Sequence, residues 1–266
     1  MPNRHYDFLT ETQVAHFVDR GFVIIQDCFS STVASSWREQ AFTRLGCDER
    51  LPETWTEDRV RLPAVHEVVV RDFAPRAWGA ICDLLGGEEH VAARPIVWRD
   101  GFHINIRYGA DGPWIPPGPS AIGWHKQDGD YHHLLGGPRL GLSVIVVCSE
   151  IEHRGGGTFI SPDSVVQVAR LLAQHPEGLP PGYKFGDLIH ECKEFVELTG
   201  HVGDVVLCHP HMLLAESGNH SCVPAVTLDA PVSLQAPMDL HREMVSEYSP
   251  TEQAILNALD VEHFSS

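Results

Sequence analysis

The sequence predicts a mainly β protein, a sandwich or barrel with helices at both ends, and three observations carry that expectation. From about residue 90 the chain breaks into short apolar segments punctuated by Gly and Pro, the pattern of strands joined by tight turns. The stretch "FHINIRY" (102–108) alternates strictly, with Phe102, Ile104 and Ile106 on one face and His103, Asn105 and Arg107 on the other. Both ends instead carry a capping box ahead of apolar residues at helical spacing.

In chain order, Thr10-Glu11-Thr12-Gln13 is the first capping box, and Val14, Phe17 and Val18 behind it give a short amphipathic helix ending at Arg20. "GFVIIQDCF" (21–29) reads as a strand. Residues 31–44 have helical composition and stop at Gly46, and "ERLPETWTEDRVRLP" after them is polar and Pro-punctuated. A third helix is expected around 77–85. "LGLSVIVVCSEI", "GGTFIS", "FVELTG", "GDVVLCHP" and "VPAVTLDAPVSL" supply strands, and "SVVQVARLLAQH" (164–175) an inserted helix. Ser249-Pro250-Thr251-Glu252 opens the C-terminal helix, with Pro at its first position. With no internal repeat, one domain over 1–266 is the economical organisation: a helix-rich N-terminal region (residues 1–90), a β core (91–240) and a helical tail (241–266).

Composition narrows the partners. A net charge of -17 repels phosphate backbones and anionic lipid headgroups, so a small molecule is expected rather than nucleic acid or a membrane. Seven cysteines, scattered and without a C-x-x-C pair, argue against a disulfide framework or structural zinc. The N-terminal "MPNRHYDFLTETQ" lacks a signal peptide's apolar run, and nowhere do about 18 apolar residues follow one another. A reducing, cytoplasmic setting is the expectation; oligomeric state is not legible.

The segment "GWHKQDGDYHHLL" (123–135) nearly spells a non-haem iron motif. Together with "LTETQVAHFVDRGFVIIQDCF", "RGGGTFISPDSV", "GDVVLCHP" and "PVSL", it resembles the phytanoyl-CoA dioxygenase-like family of iron(II)/2-oxoglutarate oxygenases over nearly the whole chain. The resemblance implies a double-stranded β-helix, a cupin-like jelly-roll whose mouth holds iron, 2-oxoglutarate and substrate. It also implies two His and one carboxylate on the metal, and an Arg to clamp 2-oxoglutarate.

Matched residue by residue, His125 stands at the first ligand position. Gln127 falls where the carboxylate belongs, Leu214 where the second His belongs, and Ala225 where the Arg belongs. A one-residue gap at Gln127 recovers Asp128 as the carboxylate, but His133, Pro138 and Gly141 align without any gap. The substitutions at 214 and 225 do not depend on that choice.

Three readings follow. The first is a metal-independent, redox-neutral isomerase, epimerase or cyclase with no cofactor, acting on a small natural-product-like molecule. In it His125 and His211 serve as acid/base groups, Gln127 donates to a developing oxyanion, His103, Asn105 and Arg107 orient the substrate, and Trp114 and Trp124 are apolar walls. The second is an iron(II)/2-oxoglutarate hydroxylase with a rebuilt ligand set of His125, Asp128 and His211. The third is a non-catalytic binding protein. His209 is expected to be structural, His132 and His133 exposed, Lys126 turned away from His125 by strand alternation, and "RGGGT" (154–158) a tight turn and not a phosphate loop.

Overall fold

The structure, a computed structural model, describes residues 6–93, 95–127 and 130–259. Its elements in chain order are α1 (Glu11–Arg20), β1 (Phe22–Ile25), α2 (Ser31–Leu45), β2 (Arg59–Arg61), β3 (Glu67–Val69), the single turn α3 (Val70–Phe73), and α4 (Pro75–Leu85). There follow β4 (Val97–Arg99), β5 (Phe102–Asn105), β6 (His125–Lys126), β7 (Ser143–Val147), β8 (Thr158–Ser161), α5 (Ser164–Ala173), β9 (Val196–Leu198), β10 (Val205–Cys208), β11 (Leu213–Glu216), β12 (Ala225–Asp229) and α6 (Pro250–Ala258).

Both expected capping boxes form. The Thr10 hydroxyl accepts the Gln13 N–H while the Gln13 side chain accepts the Thr10 N–H, and Ser249 and Glu252 repeat the exchange at α6. Gly46 ends α2 in the left-handed conformation at φ 70°, which costs a glycine no steric penalty.

All sheet pairings are antiparallel. A six-stranded sheet runs in the order β1-β10-β7-β12-β5-β2, a four-stranded sheet β6-β11-β8-β9, and β3 pairs with β4. The helix-rich first 90 residues thus contribute both edges of the larger sheet. One face of that sheet (Val23, Ile25, Phe102, Ile104, Val144, Val146, Val205, Leu207, Val226) packs against the helical layer through Phe17, Phe42, Ile81 and Leu84. Its other face (Phe22, Ile145, Val206, Cys208) packs against Ile160, Leu198 and Leu214 of the smaller sheet. Burial on both faces explains why "SVIVV" and "VVLC" read as unbroken apolar runs. The outer face of the smaller sheet (Phe159, Leu213, Ala215) is covered by Val168 and Leu172 of α5 and by Phe185 and Ile189 of a 3-10 segment. The helix α6 is held by the His209 ring, which donates from Nε2 to the Thr251 carbonyl at 3.2 Å, and by Thr251, whose hydroxyl donates to the Leu84 carbonyl. His209 is therefore structural, as its place before Pro210 suggested.

Candidate functional site

Strand alternation decides which side chains meet between the sheets. On β5, Asn105 lies opposite Arg59 on β2 and Ala225 on β12, and His103 lies opposite Arg61 and Thr227. Directly paired residues share a face, so these form two rungs on the inner side of the larger sheet. On the smaller sheet His125 pairs with Leu214, and Glu216 with Thr158. Where the apolar packing between the sheets gives out, these side chains, with Ile145 and Asp229, line a cavity of 440 Å³. That is within the range of small-molecule sites.

The polar groups are arranged in opposed pairs. Arg59 forms an ion pair with Glu216 and lies over the Tyr108 ring at 4.4 Å, while Arg61 approaches the same carboxylate only to 3.9 Å. His103 Nδ1 stands 3.4 Å from a carboxylate oxygen of Asp229. Burial pushes the His103 imidazole below its ordinary value, with Asp229 opposing and Arg61 adding to the depression. On the facing wall His125 Nδ1 is 2.8 Å from the Gly123 carbonyl. A carbonyl only accepts, so Nδ1 carries a proton, and Nε2 is the nitrogen that remains to meet a ligand.

The floor of the cavity is fixed by two asparagines. Asn105 donates from Nδ2 to the Gly156 and Ser217 carbonyls and accepts the Tyr108 N–H; Asn219 donates to the carbonyls of Asn105, Ile106 and Val223. Gly156, at φ +78°, passes so close that a Cβ there would lie 2.6 Å from Asn219 Cβ and 2.8 Å from Asn105 Nδ2. "RGGGT" is indeed a turn, serving this clamp.

His125, Leu214 and Ala225 therefore border one cavity, as do His103 and Asn105. The other sequence candidates lie elsewhere. His211 is 2% exposed and donates from Nε2 to the Leu135 carbonyl at 3.0 Å, edge-on to His209. It sits in the turn before β11 and borders a separate 20 Å³ void beside Lys126 and His133, so it is not part of the His125 cavity. Burial pushes its ring well below the ordinary value. Arg107 is exposed and ion-pairs outward to Asp58 at 2.8 Å. Asn105 lines the cavity, but its amide is committed to the backbone. Trp114 donates to Ser217 Oγ and stands edge-on to Phe159 on the outer side of the smaller sheet. His133 is buried against Phe185, not exposed, whereas His132 is exposed. Asp128 lies outside the described residues.

Gln127 and Trp124 border a second, outer chamber of 660 Å³, which shares Arg61, His125 and Asp229 with the inner cavity and is walled by Tyr183, Phe185 and Gly186. Lys126 points away from His125, as alternation requires, and its ammonium lies 5.8 Å from the Phe185 ring centre. The sequence reading missed Arg59, Arg61, Thr227, Asp229 and Glu216. Arg59-Val60-Arg61 and Ala225-Val226-Thr227-Leu228-Asp229 do alternate, and that was the available signal.

The donor set tests the iron centre that the family resemblance implies. Leu214 directly across from His125 puts an apolar side chain where the resemblance expects the second imidazole, His103 and Asp229 stand on the opposite wall of the cavity, and among the described residues, which leave out Asp128, no group of three His, Cys, Asp or Glu could hold a metal ion. At the register positions themselves, Leu214 and Ala225 bring neither a metal-binding nor an acid-binding group to the cavity wall.

No family model matches the chain, and no curated protein sequence does. Among solved structures it is similar to EctD from S. alaskensis with bound Fe, at 19% identity and a TM-score of 0.53 over 90% of this chain and 84% of that one. EctD with 2-oxoglutarate and 5-hydroxyectoine gives 18% identity and 0.53 over 87% and 78%. The non-heme alpha ketoglutarate dependent carbocyclase SnoK from nogalamycin biosynthesis matches at 16% identity and 0.48 over 87% and 86%. The chain thus carries the fold of EctD, a protein whose structures hold iron in one case and 2-oxoglutarate in another.

Proposed function

We propose that the chain is an enzyme that moves protons without net oxidation or reduction, an isomerase, epimerase or cyclase working on a small natural-product-like molecule. The two sheets are read as the halves of a double-stranded β-helix, and the inter-sheet cavity as the reaction chamber. One observation carries the reading: two imidazoles, His125 and His103, stand on opposite walls of the same cavity, with a guanidinium beside them.

In this reading His125 Nε2 removes a proton from a carbon next to a carbonyl, and the electron pair moves onto the carbonyl oxygen. The positive field of the two guanidinium groups bordering the cavity, Arg59 and Arg61, stabilises the resulting oxyanion. Return of the proton by His125 to a neighbouring atom completes an isomerisation. Delivery of a second proton to the opposite face by His103, entering the cycle as an imidazolium that has taken its proton from water and that Asp229 stabilises, completes an epimerisation; His125 then returns its proton to water, which reprotonates His103. Every electron pair stays on the substrate, so no cofactor is consumed.

The test uses protein treated with EDTA, kept under argon in deuterium oxide, and offered a panel of 2-oxo and 3-oxo acids. NMR reads deuterium uptake at carbon. Uptake by the wild type, lowered about 10²–10⁴-fold in His125→Ala, is expected. The fold shared with EctD favours a second reading, an iron(II)/2-oxoglutarate hydroxylase. Anaerobic titration with iron(II) and 2-oxoglutarate decides between them: heat of binding and a visible charge-transfer band would support the hydroxylase and overturn the redox-neutral proposal.

A further inference from the structure

Two guanidinium groups enter the cavity from the edge strand β2, and they are held very differently. Arg59 is fixed between Glu216 and the Tyr108 ring. Among the described residues Arg61 has only the 3.9 Å approach to Glu216, and its side chain is 69% exposed. It also borders both chambers, together with His125 and Asp229. A loosely held fork therefore stands at the junction, within the same small group as the candidate base.

The outer chamber differs in character from the inner. Tyr183 and Phe185 meet edge-on at 4.9 Å along its wall. Gly186 runs so close to Trp124 that a Cβ would fall 2.0 Å from the Trp124 carbonyl oxygen, so this wall sits hard against the β6 approach. Phe185 is buried at 2% exposure and serves as the backing of this wall, so the ring that offers a face to a flat apolar group is the exposed Tyr183. Arg at the junction suits a planar, bidentate acid. In the inner cavity Glu216 and Asp229 oppose a second negative charge on the group Arg61 holds, which favours a carboxylate over a phosphate dianion there, whereas Lys126 and Lys184 line the outer chamber and not the inner.

We propose that Arg61 anchors the carboxylate of a two-part substrate, a monoanionic organic acid whose reacting end enters the inner cavity and whose flat apolar tail lies against Tyr183. This rests on the reading that the inner cavity is the reaction chamber, and it names the substrate class for that chamber.

The test is a calorimetric titration of the full chain with three matched probes, 2-naphthoate, 2-naphthamide and 2-naphthyl phosphate. The wild type should bind 2-naphthoate at least tenfold more tightly than the amide, and no more weakly than the phosphate. Arg61→Gln should erase the preference for acid over amide, Arg61→Lys should restore only part of it, and Tyr183→Ala should weaken acid and amide alike. Arg107→Gln, on the outward pair with Asp58, should change nothing. Thermal melting and circular dichroism verify that each variant is folded. Equal binding of acid and amide by the wild type, or a preference that survives Arg61→Gln, would overturn the anchor; tighter binding of the phosphate would overturn the monoanion. Binding needs no turnover, so the two proposals fail separately. An Arg61-dependent acid preference without deuterium exchange leaves the anchor and removes the reaction; exchange with no acid preference does the reverse.

Discussion

Replacing Leu214 by histidine should place a second imidazole directly across from His125. The two positions are register partners on β11 and β6, and directly opposed Cβ atoms are about 4.5–5.5 Å apart, close enough for two rings to share one metal ion at about 2.0–2.1 Å from each nitrogen. Leu214 is 6% exposed and borders the cavity, so the new ring has space on the cavity side. If the pair binds zinc with a dissociation constant on the order of 10 μM, 1 mM zinc stabilises the folded state by about 2.7 kcal/mol. At roughly 2–4 °C per kcal/mol for a chain of this size, the melting temperature should rise by about 5–10 °C. Thermal melts of wild type, Leu214→His and Leu214→Ala, each with zinc and with EDTA, measure it. A folded Leu214→His variant whose zinc shift matches that of the wild type would refute the reasoning that positions 125 and 214 face one cavity.

Three further outcomes follow from buried groups. His209 is held neutral by burial, its pKa lowered from 6.5 to about 3, so the unfolded chain takes up the proton first as pH falls. Its contribution is complete above about pH 6.5 and is lost down to about pH 3, at up to roughly 1.4 kcal/mol per pH unit; urea midpoints between pH 7 and 4 should fall less steeply in His209→Gln, and an equal slope would contradict this. Asp100 accepts the Val65 and His66 N–H groups at 2.6 and 2.8 Å and pairs with Arg44 at 3.1 Å; burial works to raise its pKa, but these partners hold it below the usual carboxylate value. Its stabilisation is present above the unfolded value and lost as pH falls through the lower folded one, and Asp100→Asn should cost about 3 kcal/mol in denaturant unfolding at pH 7, a loss under about 1 kcal/mol counting against the hub. Burial pushes the thiols of Cys28, Cys82, Cys148 and Cys208 up to about 12, whereas Cys222 is exposed. Brief iodoacetamide treatment of the native protein should label Cys222 first by mass spectrometry; prior labelling of Cys148 or Cys208 would contradict the packing.

Local signals carried furthest where they are self-contained. The two capping boxes and Gly46 each specify their element through neighbouring residues alone, and each element formed; the alternation read over 102–108 forms a strand only over Phe102–Asn105, after which the chain turns and Arg107 pairs outward with Asp58. His125 and Leu214 were placed together through the family resemblance, and the antiparallel register of β6 and β11 puts them face to face. What failed depended on distant pairings. Arg59 and Arg61 lie in a polar, Pro-flanked stretch that becomes a strand only because β5 offers it an edge. His211 and Trp114 carry the right chemistry, but the turn before β11 and the cover over the smaller sheet aim them elsewhere. Spacing along a chain says nothing about which side of a turn a ring will occupy.

The asparagine clamp under the cavity has a consequence for how this protein can change over evolutionary time. Asn105 and Asn219 have spent their amides on loop backbones, and Gly156 leaves no room for a side chain, so mutation there breaks the framework before it can alter what is bound. The charged fork, by contrast, sits on a three-residue edge strand with one side open to solvent. On the proposed reading of Arg61 as an acid anchor, selection could rewrite ligand preference at positions 59 and 61 while the asparagine clamp stays constant, and a small combinatorial library at those two positions would test this on an intact scaffold.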